Sequence, residues 1–180
     1  AEPNLAGIVL GVNEKHNNVI LGDSYRTLWG EDFLSDTLCG LTFRLSVPSF
    51  YQVNPAQTEV LYGKALEFAG LTGAETVLDL YCGIGTISLV MARKAGMVWG
   101  AEVVPQAVDD AIANAQRNHI ENARFLCADA TAYLQGMAAR GERADVVFLD
   151  PPRAGSTPEF LGAVDRMGPE LSLIHISEPT

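Results

Sequence analysis

Residues able to do chemistry gather around a few short stretches of this 180-residue chain. From Val77 it runs VLDLYCGIGTISL, which sets Cys82 between an apolar run and a glycine turn. A thiol there is either a nucleophile or a small residue filling space, and its surroundings decide which. Gly83 and Gly85 allow positive φ and close backbone approach to a ligand. A nicotinamide fingerprint needs a third glycine where this chain has Ser88. The turn therefore favours S-adenosylmethionine, which has no pyrophosphate to cradle, over NAD.

Three carboxylates follow at the ends of apolar runs. Glu102 lies in MVWGAEV, where an acid can accept hydrogen bonds from both ribose hydroxyls of a cofactor, or simply end a strand in solvent. Asp129, in CADA, suits either an adenine amino group or the N-cap of the next helix. Asp150 opens DPPR and faces cofactor or substrate, unless it is a turn aspartate; Pro151 and Pro152 exclude both ladder donation and helix, which predicts a rigid lip. Cys39, in a turn between β runs, and Cys127, expected to be buried inside a strand, read as inert small residues. Three cysteines without CxxC spacing imply reduced thiols and neither a disulfide framework nor a metal site. His16 and His119 have no partner pattern and read as surface or loop residues.

Positioning these groups requires a particular order of elements. TVLDLYC, MVWGAEV, ARFLCADA and DVVFLDPP read as strands. Helices are expected over about 87–94, 105–119, through Tyr133 to Ala139, and 158–167. Such alternation implies right-handed crossovers and a doubly wound, Rossmann-like α/β domain with a parallel sheet, whose ligands lie at the carboxyl ends of its strands. An earlier helix begins at Pro55 and ends at Gly70 or Gly73, with Val60, Leu61, Ala65, Leu66 and Phe68 as its apolar face. SFYQVN, at 49–54, is a strand or an extended link. Before it, GIVLGV, VILG and TLCGLTFRLSV, the last alternating like a half-buried strand, form a small β-rich subdomain. The expected division is thus 1–48, β-rich and partial, and 49–170, the α/β domain.

A hydrophobic content of 48% suffices for one full core. No apolar run is long enough to span a membrane, and AEPNLAG lacks the order of a signal peptide, so a cytoplasmic monomer is the default. A formal charge of −10 argues against a surface that grips nucleic acid throughout. If RNA is the substrate, most of its hold comes from elsewhere.

Together, SFYQVNPAQTEVLY, VLDLYCGIGTISL, GAEVVPQAVDDAIANA and FLDPPRAG resemble the class I S-adenosylmethionine-dependent methyltransferases that make 5-methyluridine in RNA, most of all those acting on 23S ribosomal RNA. The likeness extends to about Glu170. It implies cofactor contacts at Gln52, Tyr81, Glu102 and Asp150, and an RNA substrate, ribosomal rather than transfer RNA. Uracil C5 is a weak nucleophile, so a thiolate must add to C6 and a base must later remove the C5 proton. The family keeps that cysteine in an SCNP motif after the DPPR helix and its glutamate base further on; this sequence has neither. The resemblance therefore implies an inactive fragment with the cofactor half of the site, lacking also an N-terminal RNA-binding domain and, in some members, an iron-sulfur cluster. The alternatives are methylation of another RNA atom and a non-catalytic cofactor-binding module. Arg153 stands where cytosine-5 enzymes place a nucleophile and amine methyltransferases often an aromatic.

The last ten residues, LSLIHISEPT, break the resemblance. With permitted codons they back-translate to a sequence that resembles a transposase adapter used in sequencing libraries. Residues 171–180 are accordingly expected to be foreign to the gene; as a peptide, LSLIHIS could form a short strand with His175 buried.

Overall fold

The structure, a computed structural model, describes residues 5–14, 22, 24–151 and 155–174. The expectations for His16, Pro152, Arg153 and His175, and most of VILG, lie outside the described residues.

The β-rich start is two antiparallel hairpins rather than one sheet. β1 (Gly7–Val12) pairs with β2 (Ser24–Gly30), and β3 (Phe33–Leu38) with β4 (Leu41–Ser46). TLCGLTFRLSV is therefore not a single strand. It folds back at Cys39 and Gly40, whose φ values of 51° and 73° have the sign that matches a two-residue turn to strand twist. SFYQVN is an extended link without a ladder.

In α1 (Pro55–Ala69), Asn54 caps the start by accepting from the Gln57 N–H, and Gly70, at φ 56°, ends the helix. The apolar face expected from the sequence is displaced. Thr58 and Tyr62 are buried and Ala65 and Leu66 half-buried, whereas Val60 and Phe68 are exposed. The polar tips of Thr58 and Tyr62 are satisfied inside, by the Asn54 carbonyl and the Thr86 hydroxyl respectively, so burying them costs little.

Then come β5 (Thr76–Leu80), α2 (Thr86–Ala92), β6 (Met97–Glu102), α3 (Pro105–Arg117), β7 (Ala123–Cys127), α4 (Ala130–Ala139), β8 (Val146–Leu149), α5 (Pro158–Met167) and β9 (Leu171–Ile174). The five strands make one parallel sheet in the order β7-β6-β5-β8-β9. This is the doubly wound, Rossmann-like class expected from the sequence. Alternate residues of β5 feed two cores. Val77 packs with Leu89, Val98 and Phe148 on one face; Leu78 and Leu80 pack with Leu134, Val147 and Phe160 on the other.

Some boundaries differ from those read in the sequence. β8 stops at Leu149 because Pro151 cannot donate to a ladder. β7 stops at Cys127, since Asp129 already caps α4. β9 is made by LSLI and pairs in parallel with β8. Alternating half-buried and exposed residues suit a sheet edge whatever their coding origin. No helix among the described residues is long and apolar enough to cross a membrane.

Candidate functional site

Strand order reverses at β5, with β6 on one side and β8 on the other. A crevice must open there at the carboxyl ends. The chain leaving β5 makes a tight turn in which Tyr81, Gly83 and Gly85 take φ values of 74°, 53° and 81°. For an aromatic residue this left-handed conformation costs about 1 kcal/mol or more, so Tyr81 is held on two sides. Its N–H and that of Cys82 both donate to the Ala101 carbonyl, at 2.9 and 3.1 Å. Its ring tilts against Phe160 with centroids 5.8 Å apart. Burial pushes its hydroxyl above the usual tyrosine range, with the negative charge of Asp129 adding to the effect.

Glu102 faces this turn from the end of β6. Its Oε2 accepts from the Gly83 N–H at 3.0 Å, while Oε1 accepts from Val103 and Val104 at 2.8 and 2.9 Å. These bonds fix the half-buried carboxylate beside the glycine turn. A Cβ at Gly83 would meet no atom within 4 Å, so that side of the turn is open to a ligand.

On the other side of β5, Gln52 and Asp150 line one cavity of about 150 Å³ with Tyr62, Asp79, Ile87 and Leu149. The structure thus brings Gln52 and Asp150 together, and Tyr81 and Glu102 together. Asp79 lies between the two pairs and is only 2% exposed. Burial pushes its carboxyl up to about 7; the Ser88 hydrogen bond opposes this, and the negative charges of Asp150 and Glu102 reinforce it. Ser88, itself fully buried, donates its hydroxyl to Asp79. This explains why the third glycine of a nicotinamide loop is absent: the position serves a buried acid.

Neither Cys82 nor Cys39 is poised as a nucleophile. Cys82 is 5% exposed, and burial, helped by Asp79 and Glu102, holds its thiol well above the usual range. Its sulfur fills the space over Gly100, where an added Cβ would lie 2.9 Å from it. Cys39 is half-buried, with its thiol also raised by burial. Cys127 corrects the sequence reading: it is exposed, since β7 is an edge strand and Cys127 its last residue. Asp129 is a helix cap, accepting from the Ala132 N–H at 2.9 Å. His119, at φ 55°, follows the end of α3.

The sequence reading missed Asp79 with Ser88, and Tyr62 with Thr86, at 2.8 Å between hydroxyls. The signal was present, since a carboxylate inside an otherwise apolar strand must find a donor. Carboxylates at Glu102 and Asp150, an amide at Gln52 and an open glycine turn fit a cofactor with ribose hydroxyls and a cationic centre. No group of acids, histidines and cysteines among the described residues could hold a metal ion.

Comparison with known proteins agrees with this fold. Residues 71–179 match the family profile described as "Methyltransferase domain". An uncharacterized RNA methyltransferase of Halalkalibacterium halodurans is 49% identical over 170 residues, covering 94% of this chain and 37% of that protein. One from Staphylococcus aureus is 46% identical over 177 residues, covering 98% and 39%. Among solved structures, the Pyrococcus abyssi tRNA (uracil-54, C5)-methyltransferase in complex with S-adenosyl-L-homocysteine superposes with a TM-score of 0.76 at 27% identity, covering 95% of this chain and 41% of that one. The chain spans less than two-fifths of the length of these curated relatives.

Proposed function

The chain belongs to the methyltransferase-domain family, and from that premise we propose that it is the cofactor-binding part of an enzyme that methylates C5 of a uridine in RNA, ribosomal rather than transfer RNA. The carrying observation is the open glycine turn at the sheet's switch point, with Glu102 bonded to Gly83. S-adenosylmethionine supplies an electrophilic methyl group on a sulfonium. In this reading Glu102 takes the ribose hydroxyls, Tyr81 borders the turn, and Gln52 and Asp150 hold the methionine end or the base beside it.

Two considerations favour uridine C5: the likeness to a tRNA uracil-C5 enzyme over nearly the whole chain, and the motifs SFYQVNP and DPPRAG. Those motifs alone carry the preference for ribosomal RNA. A thiolate adds to C6, its electron pair forming the S–C6 bond while the C5–C6 π pair shifts to C5. C5 then takes the methyl group as the sulfonium becomes a thioether. A base removes the C5 proton, and the restored C5–C6 double bond expels the thiolate. Because burial raises the Cys39 and Cys82 thiols, and Cys127 ends the outer strand β7, separated from the β5 turn by β6, we assign the thiol and the base to sequence outside this chain. We likewise assign residues 171–180 to a library adapter, which the genomic sequence after the Glu170 codon would decide.

The test is methyl transfer from methyl-labelled cofactor to unmodified ribosomal and transfer RNA by the full-length protein, followed by nucleoside analysis. Label in 5-methyluridine from ribosomal RNA, and none with the 180-residue chain alone, is expected. Label in a different nucleoside would refute the uridine-C5 reading, and label from transfer RNA alone would refute the ribosomal one.

A further inference from the structure

The edge of β4 that faces away from β3 meets a helix. Asp110, Asn114 and Asn118 form one stripe along α3, spaced by four residues. Four helical residues rise about 6 Å and two strand residues about 6.8 Å, so the stripe can keep step with every second residue of a strand running alongside. Asn118 takes both backbone groups of Thr42, accepting from its N–H at 2.9 Å and donating to its carbonyl at 2.8 Å. Asn114 does the same with Arg44, at 2.7 and 3.3 Å. Asp110 accepts from the hydroxyls of Ser46 and Ser49. The helix thus supplies the hydrogen bonds a neighbouring strand would have made.

Asn114 also reaches further. It is fully buried, and its Nδ2 donates to the Ile84 carbonyl at 3.3 Å, in the middle of the glycine turn. Its orientation is not free. Oδ1 must meet the Arg44 N–H, so Nδ2 must face carbonyls. Asn118 makes the equivalent pair on β4, and its other amide bond goes to the Asn114 carbonyl rather than to the turn.

We propose that Asn114 is a positioning residue: it sets the glycine turn of the cofactor site by locking the Ile84 carbonyl to the β4 edge. The proposal rests on reading that turn as the cofactor site, and it makes the β3–β4 hairpin part of what shapes it. A purely structural amide would act alike at positions 114 and 118. A positioning amide separates them.

The experiment compares Asn114→Ala, Asn114→Asp and Asn118→Ala in the full-length protein. Asn114→Asp keeps an acceptor for the Arg44 N–H and loses the donor to the Ile84 and Arg44 carbonyls, and it carries the test if the alanine variant does not fold. Hydrogen exchange of the peptide from Tyr81 to Thr86, in cofactor-free protein, should be about tenfold faster in both Asn114 variants, as expected for the loss of roughly one buried hydrogen bond, and unchanged in Asn118→Ala. S-adenosylhomocysteine affinity should fall by about the same factor for Asn114 alone, with KM for the cofactor rising and kcat little altered. Equal exchange in the Asn114 and Asn118 variants, or no change in either, would overturn the proposal. If the unaltered protein binds no S-adenosylhomocysteine, the functional reading fails, and the exchange comparison still decides the role of Asn114.

Discussion

Replacing Asp79 with asparagine should change how stability depends on pH, and the size of the change follows from where Asp79 sits. The carboxyl is 2% exposed, and burial, opposed by Ser88 and reinforced by Asp150 and Glu102, lifts it from 3.8 to about 7. An acid whose folded value is raised keeps its proton in the native state while the unfolded chain has already lost it. The native state therefore binds more protons between about pH 4 and pH 7, and stability falls as pH rises across that window. Below it both states are protonated and the group contributes nothing; above it the cost is complete. Integrated from about pH 5 to about pH 8, the cost grows by roughly 2 to 3 kcal/mol. Asparagine has no charge to bury, and its Oδ1 can still accept from Ser88. Urea unfolding of both proteins at several pH values reads the difference directly. With a slope of about 2 kcal/mol per molar urea, the unaltered midpoint should drop by roughly 1 M relative to the variant across that range. Titrating groups that are not coupled to Asp79 cancel in the comparison. Parallel midpoints at every pH would refute the claim that Asp79 is a buried acid held neutral by its surroundings.

A Cβ at Gly100 would lie 2.5 Å from the Phe125 ring and 2.9 Å from the Cys82 sulfur; Gly100→Ala should therefore cost about 1–3 kcal/mol, visible as a lower thermal midpoint. Iodoacetamide under native conditions should label Cys127 first and leave Cys82 unlabelled until the protein unfolds, as peptide mass mapping would show; early labelling of Cys82 would contradict its burial. Asp129→Ala removes the α4 cap and should cost about 1 kcal/mol of stability while leaving S-adenosylhomocysteine affinity unchanged, whereas a loss of affinity would revive a contact with adenine.

The α/β half was legible because a parallel strand covered on both faces must be apolar throughout. VLDL and VVFL announce themselves, and the one interruption, Asp79, marked a residue with a buried partner. The glycine turn and Glu102 were legible from their places at strand ends. Two kinds of feature were not. Burial at a strand end depends on which strand is the edge, so Cys127 looked interior until the order β7-β6-β5-β8-β9 put it outside. The face of α1 depends on what packs on it: Thr58 and Tyr62 turn inward because Asn54 and Thr86 satisfy them, which no hydrophobic period could reveal. The hairpin turn at Cys39 and Gly40 was hidden because alternation continues on both sides of it. Asp110, Asn114 and Asn118 were visible as a polar stripe on α3, yet its use is known only once β4 lies against it.

In the proposed function the carboxyl ends of β5 and β6 hold S-adenosylmethionine, with Glu102 as the principal acceptor. Calorimetric titration of S-adenosylhomocysteine and of NAD into the unaltered chain and its Glu102→Ala variant tests this most directly. Saturable one-to-one binding of S-adenosylhomocysteine is expected, weakened roughly 10- to 100-fold in the variant through loss of hydrogen bonds to a charged acceptor, with no binding of NAD. Saturable binding of NAD, or S-adenosylhomocysteine affinity indifferent to Glu102, would contradict it.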